Sequence, residues 1–163
     1  MGENLVNARG IKVRRDTDQT GLVTATPTAV IFSHRVDFFV NNVADWSSSV
    51  NPSRVAISAP GVYLCVANVS WVNAATGNRQ AYIRKNGTTG VYGFDSRLTQ
   101  ATGVTTNTVT VVLSLKVGEY LELMALQDAG ANRDIDAVTA DETPSLSVFC
   151  LHRYYDASLG QEV

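Results

Sequence analysis

The sequence predicts an all-β sandwich, and three observations support that prediction. Val occurs 22 times and Thr 16 times in 163 residues, and both residue types suit the pleated, half-buried surface of a strand. From Ala29 onward, short alternating or apolar runs follow one another, each bounded by Gly, Pro, Asn or Asp, which is the spacing of a sandwich or jelly roll. No window of a dozen residues keeps a 3.6-residue apolar spacing, so we expect little helix.

Turn residues separate the predicted strands. Asn86-Gly87 can supply the two positive-φ positions of a type I′ turn, with alternating residues on both sides, and this hairpin is the clearest local signal. Pro60-Gly61 and Gly118 mark two further breaks between apolar runs. The intervening segments fit consecutive antiparallel strands, which we place at Val30–Ser33, Asp37–Val40, Arg54–Ser58, Val62–Val72, Arg79–Lys85, Gly90–Asp95, Thr106–Leu115, Tyr120–Leu126 and Leu146–His152.

The length of the chain is that of one domain, and no linker divides it. We expect residues 1–28 to form an extended N-terminal arm with a lead-in strand, residues 29–153 to form the sandwich, and residues 154–163 to form a C-terminal tail. The segment from Gln127 to Thr143 is the longest weakly patterned connection, and loops of that length are often functional or mobile.

The composition restricts the classes of function. Charged residues make up 17% of the chain, below the roughly 25% of ordinary soluble domains, so part of the surface is expected to be hidden in an assembly. The formal net charge of −2 and the pI of about 5.6 argue against a nucleic-acid partner. No apolar run reaches the length of a membrane span, and the opening residues lack the layout of a secretory signal. We therefore expect no membrane partner and synthesis in a cytoplasm.

The sequence offers little material for catalysis. Its two histidines, His34 and His152, stand at the ends of strand-like runs, where plain surface or satisfied polar roles are the rule. There is no nucleophile elbow, zinc-protease pair, P-loop or clustered Cys/His spacing. We expect no enzyme, no catalytic residue, no metal site and no cofactor. A calcium-binding loop is the alternative to a solvated loop for the carboxylates Asp128, Asp134, Asp136, Asp141 and Glu142.

Cysteine and aromatic residues lie mostly inside predicted strands. Cys65 and Cys150 stand in apolar runs, where a free cysteine behaves as a small buried hydrophobe, so we expect inert core thiols rather than a disulfide or a reactive site. Packing is the usual role of an aromatic side chain in a strand. A sugar-binding face is the alternative for Trp46, Trp71, Tyr82, Tyr92 and Phe94.

Four segments, in the right order, resemble the C1q/TNF-like jelly-roll family. NPSRVAISAPGVYLCVANVSW resembles its Asn-Pro, apolar strand, Gly-x-Tyr and long following strand, and YIRKNG resembles its strand ending in a Lys-Asn-Gly hairpin. VVLSLKVGEYLELMA resembles two paired strands joined at a Gly-acidic turn, and LSVFCLH resembles the closing strand. Several weak motifs in the right order are more specific than any one of them. The positions that define the resemblance are Pro60, Gly61, Tyr63, Asn86, Gly87, Gly118 and Phe149.

The resemblance covers roughly Ser33 to His152 and departs from the family pattern at three apolar positions. Cys65 stands in place of an aromatic residue, Leu146 in place of Phe, and Val148 in place of Gly. The implied fold is an all-β, C1q/TNF-like jelly-roll sandwich of two antiparallel sheets, with a short extended N-terminal arm. The family also implies assembly of the chain with itself into a homotrimer.

A particular use of this fold is suggested by GVYLCVANVSWVNAATGNRQAYIRKNG, which is similar to segments in virion proteins of tailed bacteriophages. The resemblance implies a structural protein on the outer surface of the particle, a capsid decoration protein that docks on the major capsid protein or another virion protein and stabilises the lattice. Two alternatives stay open, namely a tail-associated knob that recognises a host-surface glycan and a bacterial C1q-like ligand-binding module.

The N-terminal arm is the segment that we expect to dock on the capsid. Such a segment can become ordered on docking or add a strand to an exposed sheet edge, and a frayed terminus is the alternative. Arginine offers bidentate bonds to carboxylates of a neighbouring protein. The residues predicted to make the contact are the apolar Leu5, Val6, Ile11 and Val13 together with Arg9, Arg14 and Arg15.

Overall fold

The regular structure of the described residues consists of strands alone. The computed structural model describes residues 9–36, 43–99, 103–137, 143–156 and 161–162. Its strands are β1 (Arg9–Arg14), β2 (Gln19–Leu22), β3 (Thr28–Ala29), β4 (His34–Val36), β5 (Ala44–Asp45), β6 (Arg54–Ile57), β7 (Gly61–Trp71), β8 (Asn78–Lys85), β9 (Tyr92–Leu98), β10 (Thr105–Leu115), β11 (Tyr120–Gln127), β12 (Arg133–Asp136), β13 (Ser145–Arg153), β14 (Tyr155–Asp156) and β15 (Gln161–Glu162).

Two antiparallel sheets form the sandwich. Sheet A has the order β2-β12-β7-β13-β1-β4, with β10 paired to the free side of β7, and sheet B has the order β5-β6-β11-β8-β9, with β3 also on β11. Strands β12 and β13 pair with successive parts of β7, whereas β10 pairs with its whole length. The two-residue strands β14 and β15 pair with each other. The predicted all-β class with two antiparallel sheets is therefore confirmed.

Alternation along β7 shows why these residues form a sandwich. Tyr63, Cys65, Ala67, Val69 and Trp71 are all buried, while the residues between Gly61 and Val69 that point the other way are half-exposed. A strand with a period of two places one set of side chains on the core side and the other on the outer side. The core lies between the sheets and includes residues of both, with Ile83 and Leu123 from sheet B.

Seven of the nine predicted strands coincide with observed strands to within three residues at each end, from the segment at Arg54 onward. The prediction of a strand at Val30–Ser33 is wrong, because this segment connects β3 to β4 and is not itself a strand of either sheet. The predicted strand Asp37–Val40 lies outside the described residues. The segment Gln127–Thr143 contains β12, which sequence analysis did not predict.

Turn predictions agree with the backbone angles. Asn86 and Gly87 have φ values of 54° and 65°, the two left-handed positions that a type I′ turn requires, and they connect β8 to the loop before β9. Gly61 is needed for a different reason, since a Cβ atom there would lie 2.4 Å from the carbonyl oxygen of His152 on β13. The backbones of β7 and β13 thus approach too closely for any side chain at this position.

The predicted N-terminal arm is corrected by the position of β1. This strand pairs with β13 on one side and with β4 on the other, and Ile11 and Val13 are 1% and 0% exposed. Strand β2 also joins sheet A through β12. The sandwich therefore begins by residue 9 rather than at residue 29, because these apolar side chains complete the core next to Leu146 and Val148.

Candidate functional site

The outer surface of sheet A carries a band of apolar side chains. Val62, Leu64 and Val66 alternate with the buried residues of β7, and each is half-exposed. Val112 of β10 lies opposite Leu64 and is 55% exposed, while Phe149 of β13 lies opposite Leu64 on the other side. We call these five residues the apolar face.

Polar residues border the apolar face along the same sheet. In the row next to that of Leu64, Val66 lies between Thr110 of β10 and Ser147 of β13, and Lys12 of β1 lies beyond Ser147. Towards the other end, Ser114 lies opposite Val62, and its hydroxyl hydrogen-bonds to the hydroxyl of Tyr154. An apolar centre with a polar border that includes one lysine, Lys12, is the composition of a protein interface rather than of a solvated sheet face.

A pocket of about 270 Å³ opens at the β5 edge of sheet B. The loop between β5 and β6, the strand β6 and the turn before β11 form its walls. The lining residues are Asp45, Trp46, Ser47, Val50, Asn51, Arg54, Ala56, Gly118 and Tyr120.

An ion-pair network fixes one wall of this pocket. Glu122 is 3% exposed and accepts hydrogen bonds from Arg84, at 2.9 Å from Nη2, and from Arg54, at 3.3 Å from Nε. The guanidinium carbon of Arg54 lies 4.3 Å from the centroid of the Tyr120 ring, a cation–π distance. Because Arg54 is held by both contacts, its position in the pocket is preorganised.

A buried polar cluster occupies one end of the core. The indole Nε1 of Trp71 donates to Oδ1 of Asn107 at 2.9 Å, and Nδ2 of Asn107 donates to the carbonyl oxygen of Arg79 at 3.0 Å. All three side chains are 0% exposed. The guanidinium carbon of Arg79 lies 5.5 Å from the Trp71 ring centroid, and burial lowers the pKa of Arg79, with repulsion from Arg133 adding to the shift. This cluster is sealed from solvent and is structural.

Comparison with known proteins identifies the fold by shape rather than by sequence. No family model matches the sequence, and no curated protein matches it. A crystal structure of murine APRIL at pH 5.0 superimposes with a TM-score of 0.67 at 12% identity, covering 89% of this chain and 99% of that one. The structure of Eiger TNF from S. frugiperda gives a TM-score of 0.66 at 12% identity, covering 96% and 99%. The fold is a TNF-like jelly roll.

In this TNF-like jelly roll, the arginines of the predicted docking segment have partners within the chain. Nε of Arg14 lies 2.7 Å from Oδ1 of Asp16, and the two terminal nitrogens of Arg15 donate to the carbonyl oxygens of Ile31 and Asp18 at 2.8 and 2.7 Å. Arg9 lies at the start of β1 opposite Cys150. The described residues of this segment therefore offer few of the contacts that were predicted for docking on the capsid. The two remaining residues of the prediction, Leu5 and Val6, lie outside the described residues.

The TNF-like jelly roll keeps its two histidines apart. His34 lies at the Arg14 end of the ladder and contacts Asp16, with 3.2 Å between Nδ1 and Oδ2, while the exposed His152 lies opposite Val62 at the other end. Among the carboxylates of the predicted loop, Asp128 accepts hydrogen bonds from Asn78, and Asp134 accepts one from the backbone N–H of Gly21. In the described part of the chain, no group of three metal-ligating side chains occurs. Asp141 and Glu142 lie outside it.

The predicted aromatic residues divide between packing and exposure. Trp71 and Tyr82 are 0% and 9% exposed, which confirms packing for these two, whereas Phe94 is 56% exposed. Trp46 and Tyr92 pack against the core from its border. The sequence singles out Trp46 but not its pocket partners Asp45, Arg54 and Tyr120. The pairing of β5 with β6 and of β6 with β11 brings these residues together. Across the described residues, we find no helix long and apolar enough to cross a membrane.

Both cysteines are free thiols, and Cys65 is fully buried while Cys150 is half-buried. Burial raises the pKa of Cys65 to about 12, and burial also raises that of Cys150. Because the thiolate is the nucleophile, the reactive fraction of Cys65 at pH 8 is about a thousandfold below that of an ordinary thiol. We expect iodoacetamide to leave Cys65 of the native chain unmodified while it modifies Cys150 slowly. Mass spectrometry of peptides, with a denatured control in which both react, tests this, and equal rates in the native chain would contradict it.

Proposed function

We propose that this chain is a non-enzymatic structural protein of a phage virion. It forms a homotrimer through the apolar face and decorates the outer surface of the head, where it docks on the capsid lattice and stabilises it. The apolar face is the observation that supports the assembly. The bacteriophage setting comes from the resemblance of GVYLCVANVSWVNAATGNRQAYIRKNG to virion proteins, and the number three comes from the resemblance to the C1q/TNF-like family.

The apolar face suits self-association because of its position and composition. Val62, Leu64, Val66 and Val112 stand on two neighbouring strands, so their side chains form one continuous surface. Water contact with such a surface is unfavourable by roughly 25 cal/mol per Å², and covering it with an identical surface around a symmetry axis removes that cost for every copy at once.

Attachment to the capsid is assigned to the residues before β1, since β1 itself is committed to the sandwich. Leu5 and Val6 provide apolar contacts there. In a trimer, three such segments bind a repeating lattice together, and the second and third attachments are effectively intramolecular. A protein that binds only the assembled lattice stabilises it by mass action.

The assembly is tested by light scattering on a size-exclusion column. We expect the wild-type chain to elute with the mass of a trimer, and we expect Val112→Glu to elute as a monomer, because a charge at the centre of the interface would be buried without a partner. Val50→Glu is the matched control, since Val50 is 65% exposed but lies in the β5–β6 loop of the other sheet. A wild-type monomer at all micromolar concentrations would remove the trimer from the proposal.

Docking is tested separately by incubating the purified chain with empty capsids and with host cell-wall material. Binding to capsids that is lost on deletion of residues 1–8 is the expected result. Binding to cell walls alone would contradict decoration and would favour the tail-associated knob, for which the pocket with Trp46 and Arg54 is the supporting observation.

A further inference from the structure

We propose that the pocket lined by Trp46, Asp45, Arg54 and Tyr120 binds one neutral pyranose ring. This inference goes beyond head decoration and does not depend on it, because the pocket lies at the β5 edge of sheet B, whereas the apolar face is on sheet A. A trimer assembled through the apolar face leaves the pocket open to solvent.

Aromatic side chains form the fixed walls of the pocket. Nε1 of Trp46 donates to the carbonyl oxygen of Pro52 at 2.9 Å, and its ring packs against the core, so the indole is held in one orientation. Tyr120 of β11 also lines the pocket, and its ring centroid lies 4.3 Å from the guanidinium carbon of Arg54. Rings that are already immobilised bind a ligand with a small loss of conformational entropy, and the C–H faces of a pyranose are the apolar surface that such rings accept.

Hydrogen-bonding groups of both kinds reach the same pocket. The side chain of Asp45 is 72% exposed; its Oδ1 accepts from the backbone N–H of Trp46, and its Oδ2 accepts no hydrogen bond from a described residue. Arg54 uses Nε on Glu122 and leaves the N–H groups of Nη1 and Nη2 without a hydrogen-bond partner among the described residues. A carboxylate acceptor and a guanidinium donor in one pocket suit the hydroxyls of a sugar, each of which both donates and accepts.

The charge distribution favours a neutral ligand over an ionised one. The Arg54 guanidinium lies beside Glu122, with 3.3 Å between Nε and Oε1, and the Asp45 carboxylate lies 4.0 Å from Nη1 of Arg35. The charged residues of the lining are one cation, Arg54, and one anion, Asp45. The lining therefore has no net formal charge, and little net field remains to attract a carboxylate or an ammonium group. A volume of about 270 Å³ lies just below the range of roughly 300–1,000 Å³ for drug-sized ligands and suits one ring.

Tryptophan fluorescence provides a direct test with the full chain. The chain has two tryptophans; Trp71 is sealed in the core at 0% exposure, while Trp46 is half-buried at the pocket. Acrylamide therefore quenches Trp46 selectively. We expect saturable protection from quenching at millimolar concentrations by at least one of glucose, galactose, mannose or N-acetylglucosamine, and no protection by glycerol at matched osmolality.

Substitutions locate the binding. Asp45→Asn retains the acceptor for the Trp46 amide but loses the charged acceptor that faces the ligand, and we expect about tenfold weaker binding. Asp16→Asn is the matched control, because Asp16 is an exposed carboxylate that contacts Arg14 and His34 away from the pocket, and its affinity should equal that of the wild type. Both variants are checked for an unchanged melting temperature.

Several results would overturn the proposal. These are the absence of protection by every sugar of the panel, equal protection by glycerol, undiminished binding by Asp45→Asn, or binding of glucuronate in preference to the neutral sugars. None of these outcomes bears on the light-scattering test of the trimer, so failure of the sugar site and failure of the proposed assembly are distinguishable.

Discussion

A chain that lacks residues 1–15 is expected not to fold, whereas a chain that lacks residues 1–8 folds. The longer deletion removes β1, which pairs at six positions with β13 and at three with β4. It also removes the buried side chains of Ile11 and Val13. Burial of each such side chain is worth roughly 1.5–3 kcal/mol, and the lost ladder exposes Leu146 and Val148 as well. Together, the lost burial of these four side chains and the lost hydrogen bonds approach the net free energy of unfolding of an ordinary domain, about 5–15 kcal/mol.

Circular dichroism and thermal unfolding of the two truncated chains measure this effect. The chain without residues 1–8 is the control for handling and expression, and we expect its melting temperature to lie close to that of the full chain. A cooperative transition of normal temperature after the longer deletion would show that β1 is dispensable, and it would return residues 9–15 to the role of a docking arm.

Trp71→Ala is expected to lower the free energy of unfolding by about 3–5 kcal/mol, the cost of truncating a large buried aromatic side chain. The substitution also leaves Oδ1 of the buried Asn107 without its donor, and an unsatisfied buried acceptor costs about 1–3 kcal/mol. Trp71→Phe separates the two effects, because it keeps most of the ring and removes only the N–H group. We expect its loss of stability to be about 1–3 kcal/mol.

Equilibrium unfolding in urea measures these differences. A shift of the midpoint urea concentration, with an unchanged dependence of the free energy of unfolding on urea concentration, reports the change in stability. Phe94→Ala is the matched control, since Phe94 is an aromatic residue of similar size that is 56% exposed on β9, and its truncation should cost less than about 1 kcal/mol. Equal losses for Trp71→Ala and Phe94→Ala would show that the polar cluster around Asn107 does not stabilise the sandwich.

Local pattern was sufficient to predict the long strands. In β7 the alternation of buried and half-exposed residues extends over most of the strand, and Asn86-Gly87 determines the turn after β8 by its own backbone preferences. Strand β12 is different, because only Ile135 and Asp136 of its four residues are buried, which gives no readable period. It becomes a strand through its pairing with β7 and β2.

Tertiary placement explains why β1 and the pocket were harder to predict. Ile11 to Arg14 alternate between buried and half-exposed residues as other strands do. Nothing near them in the sequence shows that β13 and β4 lie on either side. The pocket residues Asp45 and Tyr120 belong to separate segments, which sheet B brings to one edge. Sequence reasoning identified residue types suited to binding a sugar, such as Trp46, but not their neighbours in space.

The pairing of β1 with β13 sets the order of events when the chain is made. Arg14 and Ser145 are partners in the ladder although more than a hundred residues separate them. At roughly 5–20 residues per second of synthesis, the first strand waits on the order of ten seconds for the strand that completes its hydrogen bonds. Until then, its apolar residues and the open edge of β7 have no partner, so the interval before release from the ribosome is the period when this protein is most exposed to aggregation.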